Sequence, residues 1–179
     1  MAEYDVVEFM SKRKWDQGRN VQRMRYLHQL ALDSKNDPDI ASKIGGILIY
    51  NQVIEQFLAE IVKMSIYYIK AQIWPVVVEL EVDLDKSTFG KVIEYFKQYA
   101  TVEPNRDQIL SDLKKFNTKR NQVVHDLFDI EDLCNLANEL DEYANLADRI
   151  LKLLMEYEKQ VRNNFCQLSD QMEFCGCTK

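Results

Sequence analysis

A short polar motif, Arg120-Asn121-Gln122-Val123-Val124-His125, contains the residue types in this chain that are best suited to acid–base chemistry. Asn121 and His125 are four residues apart, so on a helix the amide can hold one imidazole nitrogen while the other faces outward. An imidazole can move protons at an RNA 2′-hydroxyl or a leaving oxygen, and a guanidinium can hold the non-bridging phosphate oxygens. The motif therefore predicts phosphodiester transfer that needs neither a metal nor a cofactor, with Arg120, Asn121 and His125 as catalytic residues.

Two other groups of residues are expected to support this chemistry. Asn51 and Glu55 lie four residues apart in an apolar stretch, where a buried amide–carboxylate pair can orient Arg120 or only fix the register of the helices. Three lysines just before the motif predict a positive rim for an RNA backbone, although the whole chain is acidic. These lysines are Lys114, Lys115 and Lys119.

The spacing of the motif constrains how its ends can meet. On a regular helix, Arg120 and His125 are about 140° apart around the axis, so one straight helix cannot aim both at the same atom. Either the helix breaks at the motif or a second subunit contributes. A two-fold dimer would bring two Arg-Asn-His sets together and can form a shared cleft.

A structural interpretation of the same residues stands beside the catalytic one. Helical phase places Arg120 on or beside an apolar stripe, where a permanent cation needs a partner, and Glu55 or Glu60 can supply it. His125 is then a helix-end histidine that bonds a carbonyl. His28, the other histidine, has no motif around it and is expected to be structural.

The elements that must position these residues are predicted to be helices. Apolar residues recur at three- and four-residue steps, and five Gly and three Pro leave few places for turns. The pattern predicts an all-α, antiparallel bundle of four long helices, a short helix and an extended connector, with one domain over 1–165 and a flexible tail over 166–179. The predicted helices span 4–32, 38–73, 89–99, 106–127 and 133–154, and the connector spans 76–82.

The charge, the apolar runs and the cysteine spacing of the chain exclude several classes of protein. The net charge is −6 and the pI is about 5.0, which argues against a protein that coats nucleic acid non-specifically. No apolar run is long enough for a membrane span, and no signal peptide is evident. The four cysteines lack the spacing of a zinc site, so we expect reduced thiols and a cytoplasmic protein.

The chain resembles HEPN-domain proteins, a family of helical bundles whose hallmark is Arg, four to six intervening residues, and His. Arg120 and His125 match that pattern, Asn121 matches the polar residue that commonly follows the Arg, and the motif lies near the end of the penultimate long helix, as is common in the family. The segment from Asn51 to Glu55 is similar to the Asn-x-x-x-Glu segment of many abortive-infection-type members. The similarity in arrangement covers about residues 40 to 155.

The resemblance implies a metal-independent endoribonuclease that acts as a homodimer on RNA, in a toxin–antitoxin, phage-defence or abortive-infection system, with a cognate antitoxin or regulatory protein. One branch of the family has a Tyr two residues after the His; here that residue is Leu127, which argues against control by nucleotidylation. The alternative is a non-catalytic HEPN-like module that binds a partner protein or RNA.

Overall fold

The computed structural model describes residues 19–74, 76, 78–80, 82–84, 87–103, 105–126 and 133–174, without the side chains of 19–22, 124–126, 133–134 and 169–174. Over these residues the chain forms five helices. They are α1 (Arg19–Asn36), α2 (Ile40–Gln72), α3 (Phe89–Tyr99), α4 (Arg106–Asp126) and α5 (Leu133–Phe174). The predicted all-α bundle is confirmed.

The central helix α2 starts at a capping turn. Asp39, with extended backbone, accepts a hydrogen bond at 2.8 Å from the amide of Ser42, one of the first-turn amides that have no partner inside the helix. Asp37, two residues earlier, accepts a hydrogen bond from the amide of Asp39 at 2.9 Å. Pro38 therefore precedes the cap, and the helix begins at Ile40 rather than at the proline.

The core surrounds α2, which contacts α1, α3 and α5, while α4 packs against α3 and α5. The largest fully buried side chains come from four helices, so burial of apolar surface holds all of them in one unit. Examples are Tyr50, Ile54, Leu58, Ile61, Phe96, Ile109, Leu113, Phe116, Leu140, Tyr143, Ile150 and Tyr157.

Helices that follow each other across tight connections run antiparallel, as predicted. Gly46 of α2 faces Ser34 of α1, and Arg106 of α4 bonds the carbonyl of Lys97 of α3. Helices α2 and α5 depart from the prediction because they run in the same direction. Lys43 pairs with Asp141 near their starts, and Ala71 and Phe165 cluster near their ends.

An extended connector after α2 explains why α2 and α5 run in the same direction. Leu80 and Val82 pack on the core, and Ser87 lines the same groove as Gln52 of α2, so the chain returns along the helix it has just left. An extended chain covers about 3.3 Å per residue against 1.5 Å in a helix, so this short segment can span the much longer α2. The predicted extended connector is confirmed over its described residues, and α3 then starts at Phe89, as predicted.

The two ends of the chain differ from the sequence prediction in different ways. The first predicted helix began at residue 4; residues 1–18 lie outside the described part, and α1 continues to Asn36 instead of ending at 32. Helix α5, predicted to end at 154, continues to Phe174 and passes through the domain boundary predicted at 165, so 166–174 are helical. Phe165 is buried against Ala71 of α2, and this contact explains why the helix continues there. No described helix combines the length and hydrophobicity of a membrane span.

Candidate active site on the fourth helix

Arg120 lies between three helices, with its side chain 34% exposed. Its Nη1 atom is 3.8 Å from Oε2 of Glu55 on α2, and its guanidinium carbon lies 5.5 Å from the ring centre of Phe89 at the start of α3. The carboxylate and the electron-rich ring face both stabilise a cation that sits partly within the bundle. Of the two acidic partners predicted for Arg120, Glu55 is therefore the one that pairs with it. Glu60 instead lies 3.4 Å from Lys63.

Asn51 lies one turn before Glu55 but has a different partner. It is 8% exposed, and its Oδ1 accepts a hydrogen bond from the hydroxyl of Tyr143 on α5. Burial raises the pKa of Tyr143, although the positive charge of Arg120 and the bond to Asn51 act in the opposite direction. Tyr143 therefore stays protonated near neutral pH and acts as a hydrogen-bond donor. The sequence does not reveal this bond, because Tyr143 and Asn51 lie 92 positions apart.

Aromatic rings connect these two polar pairs. Phe116 stacks on Tyr143 with ring centres 4.7 Å apart, and Phe89 meets Phe116 edge to face at 5.9 Å. Arg120 lies over the ring of Phe89. Residues from α2, α3, α4 and α5 thus restrict the position of the Arg120 guanidinium on its buried side. The packed rings can adopt few rotamers, and so can the arginine side chain that contacts one of them.

The solvent side of this arrangement is open. Glu55 also lines a groove of about 630 Å³ between α1, α2 and the connector, together with Gln52 and Gln56. Groups of this kind can hydrogen-bond a polar ligand.

The helix is continuous through the motif. Helix α4 runs from Arg106 to Asp126, so the possibility that it breaks between Arg120 and His125 is wrong. Asn121 and Gln122 are both exposed, and the backbone of His125 follows Asn121 by about one turn. The predicted contact between Asn121 and His125 involves a side chain outside the described part, so it stays a prediction.

The three predicted rim lysines lie on the outer surface of α4, and two of them have acidic neighbours. Lys119 is 2.8 Å from Glu142 of α5, and this hydrogen bond and charge lower the pKa of Glu142. Lys115 is 4.0 Å from Asp112, whereas no acidic partner of Lys114 is found among the described residues. The lysines form a positive rim, but two carboxylates reduce its charge.

Asp112 is the charged residue that sequence reasoning missed. Its side chain is fully buried, and it accepts two hydrogen bonds from Arg149 of α5, at 2.9 and 3.1 Å, and one from Gln108 at 3.0 Å. The signal was present, because Asp112 falls three residues after Ile109 and four before Phe116 on the apolar stripe of α4. A carboxylate in that phase needs a cation, but the spacing within α4 does not say which cation of α5 supplies it.

Within the described residues, no group of three His, Cys, Asp or Glu side chains has the arrangement of a metal site. Cys166 is exposed and free, and the predicted role of the other cysteines as reduced thiols involves side chains outside the described part. Comparisons of the chain with models of protein families, with curated proteins and with solved structures find no match.

Proposed function

We propose that this protein is a metal-independent endoribonuclease of the toxin or phage-defence type, with a composite active site at a homodimer interface. The observation that carries the proposal is the placement of Arg120. Glu55 and Phe89 hold the guanidinium, yet a third of the side chain is exposed, on a continuous helix that presents Asn121 to solvent one turn before His125.

The proposed reaction is transfer of a phosphoryl group within the RNA chain. The imidazole of His125 removes the proton of a 2′-hydroxyl and the O2′–P bond forms. The P–O5′ bond then breaks as the resulting imidazolium returns this proton to the 5′ oxygen. The products are a 2′,3′-cyclic phosphate and a 5′-hydroxyl. Arg120 would hold the non-bridging oxygens, whose charge grows in the transition state, and Asn121 would orient His125.

The continuity of α4 favours a site built from two copies. Because Arg120 and His125 are about 140° apart on one straight helix, both reach one phosphate more easily when each comes from a different subunit. In this arrangement a cognate antitoxin or regulatory protein can block cleavage by covering the shared cleft.

Cleavage of mixed RNA in EDTA tests the proposal. Wild-type protein is expected to release fragments with cyclic phosphate ends, and His125→Ala and Arg120→Ala are expected to abolish cleavage while circular dichroism stays unchanged. His28→Asn and Arg25→Ala serve as matched controls, since neither residue belongs to the site. Inert wild-type protein would overturn the proposal.

Mixing the two inactive variants tests the composite site. A heterodimer of His125→Ala with Arg120→Ala contains one complete site only if Arg and His come from different subunits. Random exchange should then restore about a quarter of wild-type activity, because about half of the dimers are mixed and each has one of two sites. No recovery from exchanged subunits would place both residues in the same site of one chain.

A second candidate function is a non-catalytic helical module that binds a partner protein or RNA. The contacts of Arg120 favour it, because a guanidinium already engaged by Glu55 and Phe89 can serve the fold alone. The two candidates differ in the cleavage assay, where the module is inert.

A further inference from the structure

An open groove of about 700 Å³ runs between α4 and α5 on the outer surface of the protein. Helix α4 contributes the three lysines of the rim, and α5 contributes Arg149, so four cations meet two carboxylates, Asp112 and Glu142. The chain as a whole has a net charge of −6, so this groove, which we term the basic groove, has the opposite sign from the average surface. Such a local reversal favours an anionic ligand.

The cation from α5 is held in place. Asp112 is fully buried and bonds Nε and Nη2 of Arg149, while the Arg149 side chain is 56% exposed. A guanidinium has five N–H donors, so the two used by Asp112 leave others for a ligand in the groove. The buried carboxylate thus fixes the orientation of Arg149 before any ligand binds, which reduces the entropy lost on binding.

Neutral polar groups line the rest of the basic groove. Thr118 and Gln122 of α4 and Asn145 of α5 face the same space, and Leu146 forms an apolar part of its wall. Hydroxyl and amide groups can bond the sugar hydroxyls and phosphate oxygens of a nucleic acid. The lining therefore combines point charges with donors and acceptors along two adjacent helices.

Helical register connects the basic groove to position 125. Position 125 is eleven residues after Lys114, and on a regular helix eleven residues make three full turns plus about 20° around the axis. It is seven residues after Thr118, and seven residues fall about 20° short of two full turns. Positions 114, 118 and 125 therefore share one face of α4, and Arg120 belongs to a different face, toward α2 and α3. The groove side of α4 leads to the backbone position of His125.

We propose that the basic groove binds the ribose–phosphate backbone of RNA and leads it to His125, with Arg149 as a phosphate-binding residue that neither the motif nor its lysine rim includes. The inference rests on the proposed function, which it deepens by assigning the path of the substrate. An acidic polypeptide would also be attracted by lysines and arginine. RNA is favoured because the groove leads along α4 to the proposed catalytic histidine.

Binding of a fluorescent single-stranded RNA oligonucleotide to the full chain tests this path. The His125→Ala variant is the parent protein, because it should bind without cleaving. Lys114→Gln/Lys119→Gln in this parent is expected to weaken binding roughly tenfold in low salt and to reduce the dependence of log K on log salt by about 1.4, which corresponds to two phosphate contacts. Lys91→Gln/Lys97→Gln, which removes two exposed lysines of α3, is the charge-matched control and should change affinity less than twofold.

Arg149 is tested in a variant that avoids a buried unpaired charge. Arg149→Gln/Asp112→Asn in the same parent should also weaken RNA binding severalfold, with folding checked by circular dichroism. Equal losses in the groove and control doubles would overturn the proposal, as would a parent that binds no RNA, or one that binds poly-glutamate as tightly as RNA. Loss confined to the groove variants supports it even if the wild type does not cleave, so this test and the cleavage assay fail independently.

Discussion

Nη1 of Arg120 lies 3.8 Å from Oε2 of Glu55, and the two side chains have the same exposed fraction, 34%. An ion pair at this depth is partly screened by water, so it contributes little to the stability of the fold. The pair does hold the guanidinium over the ring of Phe89. A fixed orientation is important if Arg120 binds a phosphate and less important if Arg120 only packs in the bundle. Breaking the pair separates these two roles.

Glu55→Gln is expected to lower the free energy of unfolding by less than about 1 kcal/mol, because exposed and half-exposed ion pairs contribute about that much or less. If the proposed function is right, the same change lowers the cleavage rate about tenfold, since a misdirected guanidinium loses about 1.4 kcal/mol of transition-state stabilisation. Urea unfolding and RNA cleavage measure the two effects.

Glu60→Gln is the control for this change, because Glu60 is on the same helix, is 37% exposed and pairs with Lys63 instead. It should match Glu55→Gln in stability and keep wild-type cleavage. A stability loss above about 3 kcal/mol for Glu55→Gln would instead indicate a buried network with a structural role.

Much of the fold could be predicted because its signals are local. The periodic apolar residues and the breaks that each contain one proline place α3 at 89–99 and α4 from 106, and the structure agrees. The parallel course of α2 and α5 could not be predicted, because it depends on the connector returning along α2, and a β-branched segment reports its extended shape but not its direction. The continuation of α5 past its predicted end at 154 depends on a contact that is distant in sequence, because Phe165 packs on a residue of α2.

The candidate site shows the same division between local and distant information. Helical phase predicts that Arg120 needs a partner, and it does have Glu55. Phase does not reveal that Asn51 bonds Tyr143 or that Asp112 holds Arg149, because each bond joins residues at least 37 positions apart. Predicting such pairs requires knowing how two helices are rotated against each other, and the sequence of either helix alone does not contain this.

Two buried tyrosines should respond in opposite ways to loss of their hydroxyl groups. Tyr143 and Tyr50 are both 0% exposed, but only Tyr143 donates to a described partner, Asn51, whereas the Tyr50 hydroxyl has no hydrogen-bond partner among the described residues. Tyr143→Phe leaves the buried Asn51 oxygen without its donor and should lower the free energy of unfolding by about 1–3 kcal/mol. Tyr50→Phe removes an unsatisfied polar group and should be neutral or stabilising.

Urea unfolding of the two phenylalanine variants makes this comparison. Each variant is the control for the other, because both changes keep the aromatic ring and remove only a hydroxyl group. If Tyr50→Phe destabilised the protein as much as Tyr143→Phe, the Tyr50 hydroxyl would have to have a partner, and the contrast would be wrong.

The adjacent glycines of α2 are expected to differ in the same way. A Cβ at Gly46 would lie 2.8 Å from the Cβ of Ser34 and 3.3 Å from the carbonyl oxygen of Ala31, so Gly46→Ala should push α1 away from α2 and destabilise the protein by about 1–3 kcal/mol. A Cβ at Gly45 meets nothing within 4 Å. Gly45→Ala should therefore stabilise by about 0.5–1 kcal/mol, because alanine loses less backbone entropy in a helix.

Thermal or urea unfolding of the two alanine variants checks both signs. Equal effects at the two positions would mean that α1 does not approach α2 as closely as Gly46 indicates.

Asp112 should make the stability of the protein depend on pH. Burial acts to raise its pKa, but hydrogen bonds from Arg149 and Gln108 and the charges of Arg149 and Lys115 outweigh burial, so the pKa lies below the ordinary 3.8. A carboxylate with a lowered folded-state pKa stabilises the fold above its unfolded pKa, and this contribution is lost as the pH falls through the folded-state pKa. The stabilisation is therefore complete near neutral pH and decreases in the acid range below about pH 4.

Asp112→Asn removes the titrating group while keeping its shape. At about pH 7 it should lower the free energy of unfolding by roughly 1.5–3 kcal/mol, because hydrogen bonds to a charged group are lost. Wild type and variant should then converge as the pH falls toward about 3. Asp107→Asn, a change at an 87% exposed carboxylate of the same helix, should leave the wild-type pH profile nearly unchanged. Parallel profiles for wild type and Asp112→Asn across this range would show that Asp112 does not titrate as its contacts with Arg149 require.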